Sequence, residues 1–286
     1  MNGLHNGLYD GRFDGLQQGL FDNNLDSGNP GSEGLFIFDP DALNYIIAAN
    51  IVNPTHRWAI NVYFIGLKSN HLYNKIYAMW LLIGGNANSH KYNAKDPRDL
   101  DAAYRLTFAG GYTHDDNGIK GNGTNSITST YFPADLPDIN DISLAVYSRT
   151  AGNSSGAEIG FSSGLASPRL NLIIQYTNGN TCFDLNNTYL GTAVALSQVA
   201  TGLYVSSRTA NNVIKLYRRG NLINTQADVS TTEQTQNISF GALAGGGYTV
   251  RQTCFYAIMR GLTDSEVLIF NRLVHNLQIA LGRNIY

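Results

Sequence analysis

The chain has 286 residues, among them 30 glycines and 17 tyrosines, with 14% charged residues and a formal net charge of -2. That length can bury a full-size core, in one large β domain or two smaller units, and the glycine- and tyrosine-rich composition favours strands and turns. So small a net charge excludes broad attraction to nucleic acid or an anionic membrane, and neither is expected as a partner.

Residues 2–22 repeat a tetrapeptide that places glycine at 3, 7, 11, 15 and 19. Asn-Gly and Asp-Gly favour turns, and a glycine at every fourth position costs a helix about 1 kcal/mol each, so residues 1–34 are expected as an extended arm that does not fold alone. Leu4, Leu8, Tyr9, Phe13, Leu16, Leu20 and Phe21 are too apolar for an ordinary solvated linker. They are candidate assembly contacts, with a plain flexible tail as the competing reading. The first residues lack the basic segment and apolar run of a secretory leader. The longest apolar run, Ala78 to Ile83, is far short of a membrane span and reads as a buried strand.

Residues 35–76 are expected to be helical. Asp39-Pro40 and Asn53-Pro54 each put a capping side chain before a proline suited to the first turn. Periodicity groups Leu43, Ile46 and Ile47 on the first helix and Trp58, Val62, Ile65 and Leu67 on the second as the packing faces.

Residues 77–286 change to short apolar or alternating runs separated by Gly, Asn and Asp turns. Strands are expected at Tyr77–Ile83, Tyr104–Ala109, Ile142–Ser148, Ala157–Ser162, Leu170–Tyr176, Leu203–Ser207, Val213–Tyr217, Ile238–Leu243 and Gln252–Met259. With no helices between them, they indicate a mainly β fold, an antiparallel β-sandwich or jelly roll. Thr263 with Glu266 three residues on forms a capping box, so a C-terminal helix follows, with Val267, Leu268, Leu273, Leu277, Ala280 and Leu281 expected on its buried side.

The residues offer no strong catalytic constellation. A glucanase on such a sandwich needs two neighbouring carboxylates, and Glu158 and Asp184 each stand alone in their strands. Asp96, Asp99 and Asp101, and Asp115, Asp116 and Asn117, could supply oxygen to calcium but read as turn sequences. His90, His114 and His275 lack metal-ligand spacing and read as loop or surface histidines. Cys182 and Cys254 read as small core residues, with a disulfide between them left open. No metal and no cofactor is expected. Tyr112, Tyr131, Tyr189 and Tyr248 fall in or beside loops, where tyrosines either pack an edge or stack on sugar rings.

Three blocks carry a family resemblance: Val205-Ser206-Ser207-Arg208-Thr209, Ile214 to Asn221, and Arg260-Gly261-Leu262-Thr263-Asp264-Ser265-Glu266 with Leu281-Gly282-Arg283 closing the helix. They resemble the concanavalin A-like, laminin-G-like domains of tailed-bacteriophage structural proteins. A second block, Ile83-Gly84-Gly85, His90 to Asn93, Asp96 to Phe108 and Gly121 to Thr124, is similar to virion proteins that include those of crAss-like phages, some of which also open on Asn-Gly-Leu-Tyr repeats. The resemblance implies a concanavalin A-like sandwich in a virion structural protein, a head or tail fibre or decoration component. It would be assembled in the host cytoplasm, docked through its arm on other virion proteins and on sister subunits as a homo-oligomer. The alternative is a carbohydrate-binding adhesin for host surface glycan, and behind it a glycan depolymerase.

Overall fold

The computed structural model describes residues 37–129, 138–161, 169–187, 194–195, 200–232, 237–243 and 247–286. The arm residues Leu4, Leu8, Tyr9, Phe13, Leu16, Leu20 and Phe21 lie outside the described residues, as do Tyr131 and Tyr189.

Among the described residues two helices come first, α1 (Pro40–Ala48) and α2 (Pro54–Ser69). Their starts are set as the sequence indicates. The Asp39 carboxylate accepts from the backbone N–H groups of Asp41 and Ala42, and the Asn53 side chain accepts from those of Thr55 and His56. Seventeen strands follow among the described residues: β1 (Ile76–Trp80), β2 (Leu106–Phe108), β3 (Thr113–Asp115), β4 (Gly118–Lys120), β5 (Ile127–Ser129), β6 (Ile142–Ser148), β7 (Ile159–Phe161), β8 (Arg169–Ile173), β9 (Asn180–Asn187), β10 (Val194–Ala195), β11 (Gly202–Ala210), β12 (Val213–Arg218), β13 (Asn221–Ala227), β14 (Ser239–Phe240), β15 (Ala242–Leu243), β16 (Gly247–Tyr248) and β17 (Gln252–Met259). Helix α3 (Asp264–Ala280) closes the chain behind a complete Thr263/Glu266 capping box.

The first sheet has the strand order β13-β12-β11-β6-β17-β4-β3, with β1 also paired along β17; the second runs β10-β9-β8-β7-β14-β5-β2; β15 and β16 form a separate ribbon. Every pairing is antiparallel, so the fold is the expected sandwich. Between the sheets Trp80, Leu144, Val146, Tyr204, Leu216 and Tyr256 meet Ile127, Ile159, Leu172, Phe183, Leu185 and Phe240. The opposite face of the first sheet is covered by the helices, through Tyr45, Ile60, Tyr63, Phe64, Leu67, Phe270 and Val274 against Met79, Tyr147, Val205 and Phe255. The helical segment and the sandwich thus belong to one compact unit, residues 38–286. Being covered on both faces, β6 is buried along its whole length, its serines Ser143 and Ser148 included, and its sequence carries no charged residue.

Several expected faces are corrected. On α2 the buried side is Ala59, Ile60, Tyr63, Phe64 and Leu67, while Val62 and Ile65 are exposed and Trp58 is half-buried. On α1, Ile46 is buried but Ile47 is exposed; on α3, Leu268 is exposed and Phe270 and Val274 take the inner positions. The strand expected at Tyr77–Ile83 ends at Trp80, and Leu82 takes a left-handed conformation, φ 49°. Arg283 explains the turn: its guanidinium donates to the carbonyls of Leu81 (2.6 Å), Leu82 (2.8 Å) and Cys254 (2.9 Å). Tyr104 is also left-handed, so the next strand begins at Leu106.

Candidate functional site

The blocks that carry the family resemblance come together at the head of α3. The Leu262 N–H donates to Ser143 Oγ (3.1 Å) and Ser207 Oγ (2.9 Å), and Ser207 Oγ donates to the Leu262 carbonyl (2.8 Å). Gly261 passes so close to the Arg208 carbonyl that any Cβ would collide with it. Lys215 Nζ and the Tyr217 hydroxyl both donate to Asp264 Oδ1 at 2.6 Å, and these two bonds hold the Asp264 carboxyl below its ordinary value. At the other end of the helix Gly282 turns the chain at φ 67°. The Arg283 N–H bonds the Gln278 carbonyl, which swings the Arg283 side chain back beneath the helix.

Around the α3 head lies a cavity of about 400 Å³, lined by Ser207, Thr209, Val213, Lys215, Leu262, Thr263, Asp264 and Ser265. Chemically it offers one ammonium and one carboxylate, paired with each other, and several hydroxyls beside Val213 and Leu262. That suits a neutral ligand rich in hydroxyl groups and disfavours a strong anion, because Asp264 stands at the helix N-terminus.

The two carboxylates singled out for catalysis are otherwise engaged. Glu158 is fully buried: Oε1 accepts from Arg251 Nε at 2.7 Å and Oε2 from the Ile174 N–H at 2.7 Å. Arg251 also donates to the carbonyls of Thr150 (3.0 Å) and Gln175 (2.9 Å) and to that of Gly152. Burial pushes Glu158 up and Arg251 opposes the shift. Asp184 is not isolated, because the Asn187 amide donates both to its Oδ1 (3.1 Å) and to Asp228 Oδ2 (2.5 Å). Arg169 stands 3.7 Å from Asp184 Oδ2, and Asn171 faces Asp184 across the β8–β9 pair. Burial raises both aspartates, opposed by Arg169 at Asp184 and by Arg208 at Asp228. This polar cluster escaped sequence reasoning because Asp228 comes from another segment; the Asp-Leu-Asn-Asn run at 184–187 was its one visible sign.

Tyr112 and Tyr248 are brought near each other. The Tyr112 hydroxyl donates to the Asn125 carbonyl at 2.8 Å, and burial raises its phenol with Tyr248 adding to the shift. Tyr248 is half-exposed on the β15–β16 ribbon. His90 is not a surface residue. It is buried with its Nδ1 3.0 Å from His114 Nδ1, and burial, with His114 and Arg283 adding, pushes it down to about 3. Asp96 pairs with Arg98, Asp99 with Lys91 and Arg105, and Asp101 with Arg105, while Asp115 accepts from the Asn117 N–H and the Gln252 amide. Among the described residues no three His, Cys, Asp or Glu side chains gather as a metal site. Cys182 and Cys254 are both free thiols.

The sequence matches no family model and no curated protein. Solved structures do share its fold. The sialidase of Trypanosoma rangeli is similar at a TM-score of 0.50 and 11% identity over 75% of this chain, which spans 38% of the sialidase. Domain 4 of AbnA, a GH43 extracellular arabinanase from Geobacillus stearothermophilus solved with arabinotriose, is similar at 0.47 and 16% identity, over 69% of this chain and 98% of that domain. An HCR/D W1238A mutant follows at 0.45 and 13%, over 70% and 52%. At 11% identity the likeness to the sialidase is one of fold alone.

Proposed function

We propose that the chain is a non-catalytic structural subunit of a tailed-phage virion, a head or tail fibre or decoration component, docked through its N-terminal arm with the sandwich facing outward. The observation that carries this reading is α2. A helix that is apolar on two opposite sides normally buries both. This one buries Ile60, Phe64 and Leu67 yet leaves Val62 and Ile65 exposed on the far side, with Trp58 half-buried on the same stripe. Ile47 and Val52, at the α1–α2 connection, are exposed as well. Such a surface needs neighbours, and an assembly of many identical copies supplies them through individually weak contacts. The arm repeat and the motif blocks point the same way, and the engagement of Glu158 by Arg251 argues against catalysis there.

The test is incorporation into particles, measured by mass spectrometry of purified virions from the infected host. A chain truncated to residues 26–286 and a Val62→Lys, Ile65→Lys variant should both fold and both be lost from the particle. Normal incorporation of both, or absence of the native chain from particles, sinks the proposal.

A second reading, a carbohydrate-binding adhesin, is favoured by the cavity at the head of α3, since a sandwich of this kind is compatible with sugar binding. A glycan array screened with and without calcium should then give a signal that Lys215→Ala and Asp264→Asn abolish; a blank array at high protein concentration removes this reading. Polysaccharide cleavage that vanished in Glu158→Gln or Asp184→Asn would replace both readings with a depolymerase.

A further inference from the structure

Sheets in natural proteins keep their edges short or covered, because a long open edge pairs with other strands. Most edges here follow that rule. Strands β2 and β3 have three residues each and β10 has two, and the free side of β1 is closed by Asn93 and Ala94, which bond the Met79 backbone. Strand β13, at the end of the first sheet, is different: it has seven residues and is largely exposed.

The direction of its open hydrogen-bonding groups follows from its neighbours. The N–H groups of Asp228 and Ser230 turn inward, to the carbonyls of Asn212 (3.1 Å) and Asn211 (2.8 Å). In an extended strand alternate residues point their N–H and C=O to the same side. With Ile214 opposite Gln226 and Leu216 opposite Asn224, the backbone groups of Thr225 and Ala227 point away from β12, and both residues are exposed; the N–H of Val229, also exposed, donates to the Asp228 carboxylate. From Asn221 to Val229 the one charged residue is Asp228, whose carboxylate is turned inward to Asn187.

We infer that β13 is a docking edge for a second copy of this chain, which adds its own β13 antiparallel across a two-fold axis. A two-fold axis at Gln226 lets Thr225 of each copy bond Ala227 of the other, twice. The β-bulge between the Leu216 and Tyr217 pairings brings Leu222 into the outward phase, so that exposed Leu222 of one copy lies opposite exposed Val229 of the other at both ends. No like charges meet along the edge, so identical edges are complementary. The inference stands on the edge alone and does not depend on the virion reading.

Sedimentation velocity of the full chain from about 1 to 300 µM tests it. The native chain should show a concentration-dependent dimer. Thr225→Pro removes an outward N–H and no internal ladder bond, and Thr225→Lys adds repulsion without altering the backbone; both should keep the native melting temperature and weaken dimerisation at least tenfold. A native chain that stays monomeric, variants that dimerise as tightly as the native chain, or a dimer abolished by Val62→Lys, Ile65→Lys but not by either Thr225 variant, would each overturn the inference.

Discussion

The two faces of the first sheet are each fastened by a buried arginine, but in different ways. On the sandwich side Arg251 meets a carboxylate, Glu158, at 2.7 Å. On the helix side Arg283 meets only neutral oxygens, three backbone carbonyls and the Gln278 amide. Both are almost completely buried. The contrast separates two physical solutions to burying a guanidinium: neutralising its charge with a partner that must itself be buried, and surrounding it with dipoles that would otherwise be unsatisfied. The first ties two charges together, so losing one strands the other. The second strands only neutral groups.

The largest expected effect follows from that asymmetry. Arg251→Met should cost about 3–5 kcal/mol in urea unfolding, because Glu158 is left charged and unpaired, and the Glu158→Leu, Arg251→Met double variant should recover most of the loss. A double variant as unstable as the single one would show that the pair is not the unit. The pH dependence sharpens the point. With burial raising Glu158 above its ordinary value, the folded state holds the extra proton, so the single variant should regain stability relative to the native chain as pH falls. Arg283→Met should cost less, about 2–3 kcal/mol, and show no such recovery. Equal recovery on acidification in both would erase the distinction.

The fold was legible where one local signal decided the outcome. Asp39-Pro40, Asn53-Pro54 and Thr263 with Glu266 set the starts of the three long helices among the described residues, and the largely apolar runs Ile142–Ser148 and Gln252–Met259 gave the two central strands with their bounds. It failed where two surfaces compete. Periodicity found the stripe of Trp58, Val62 and Ile65, but a helix apolar on both sides does not reveal which side meets the sheet. Strand β13 was missed because an edge strand buries little, and Asn-Leu-Ile-Asn-Thr-Gln-Ala carries almost no alternation. The cavity at the α3 head draws on residues 207–215 and 262–265, so nothing local marks it, although the resemblance had grouped the same segments.

His90 gives a middle-sized effect that again distinguishes the two arginines, because Arg283, and not Arg251, contributes to its shift. Its folded value near 3 lies below the ordinary 6.5, so the unfolded chain binds a proton that the folded chain refuses. Stability is therefore fully present above about pH 6.5 and is lost on acidification toward 3, at up to about 1.4 kcal/mol per pH unit. Thermal melts from pH 7.5 to 5 should show this slope, flattened in His90→Gln and reduced in Arg283→Met, where one source of repulsion is gone. An unchanged slope in His90→Gln would assign the acid sensitivity elsewhere.

The smallest effect concerns the helix that carries Arg283. Thr263 accepts from the Glu266 N–H while Glu266 bonds the Thr263 N–H at 2.9 Å, so Thr263→Ala frees donors at an exposed helix end that water can reach, and about 1 kcal/mol should be lost. The comparison predicts where that loss propagates. The α3 head is held independently by Ser143, Ser207, Lys215 and Tyr217, and its tail by Arg283 together with the buried Leu277 and Gln278. Amide exchange in Thr263→Ala should therefore speed up in the first turn of α3 and stay native from Leu277 onward. Exchange that accelerated along the whole helix would mean that the tail contacts do not hold α3 independently of its cap.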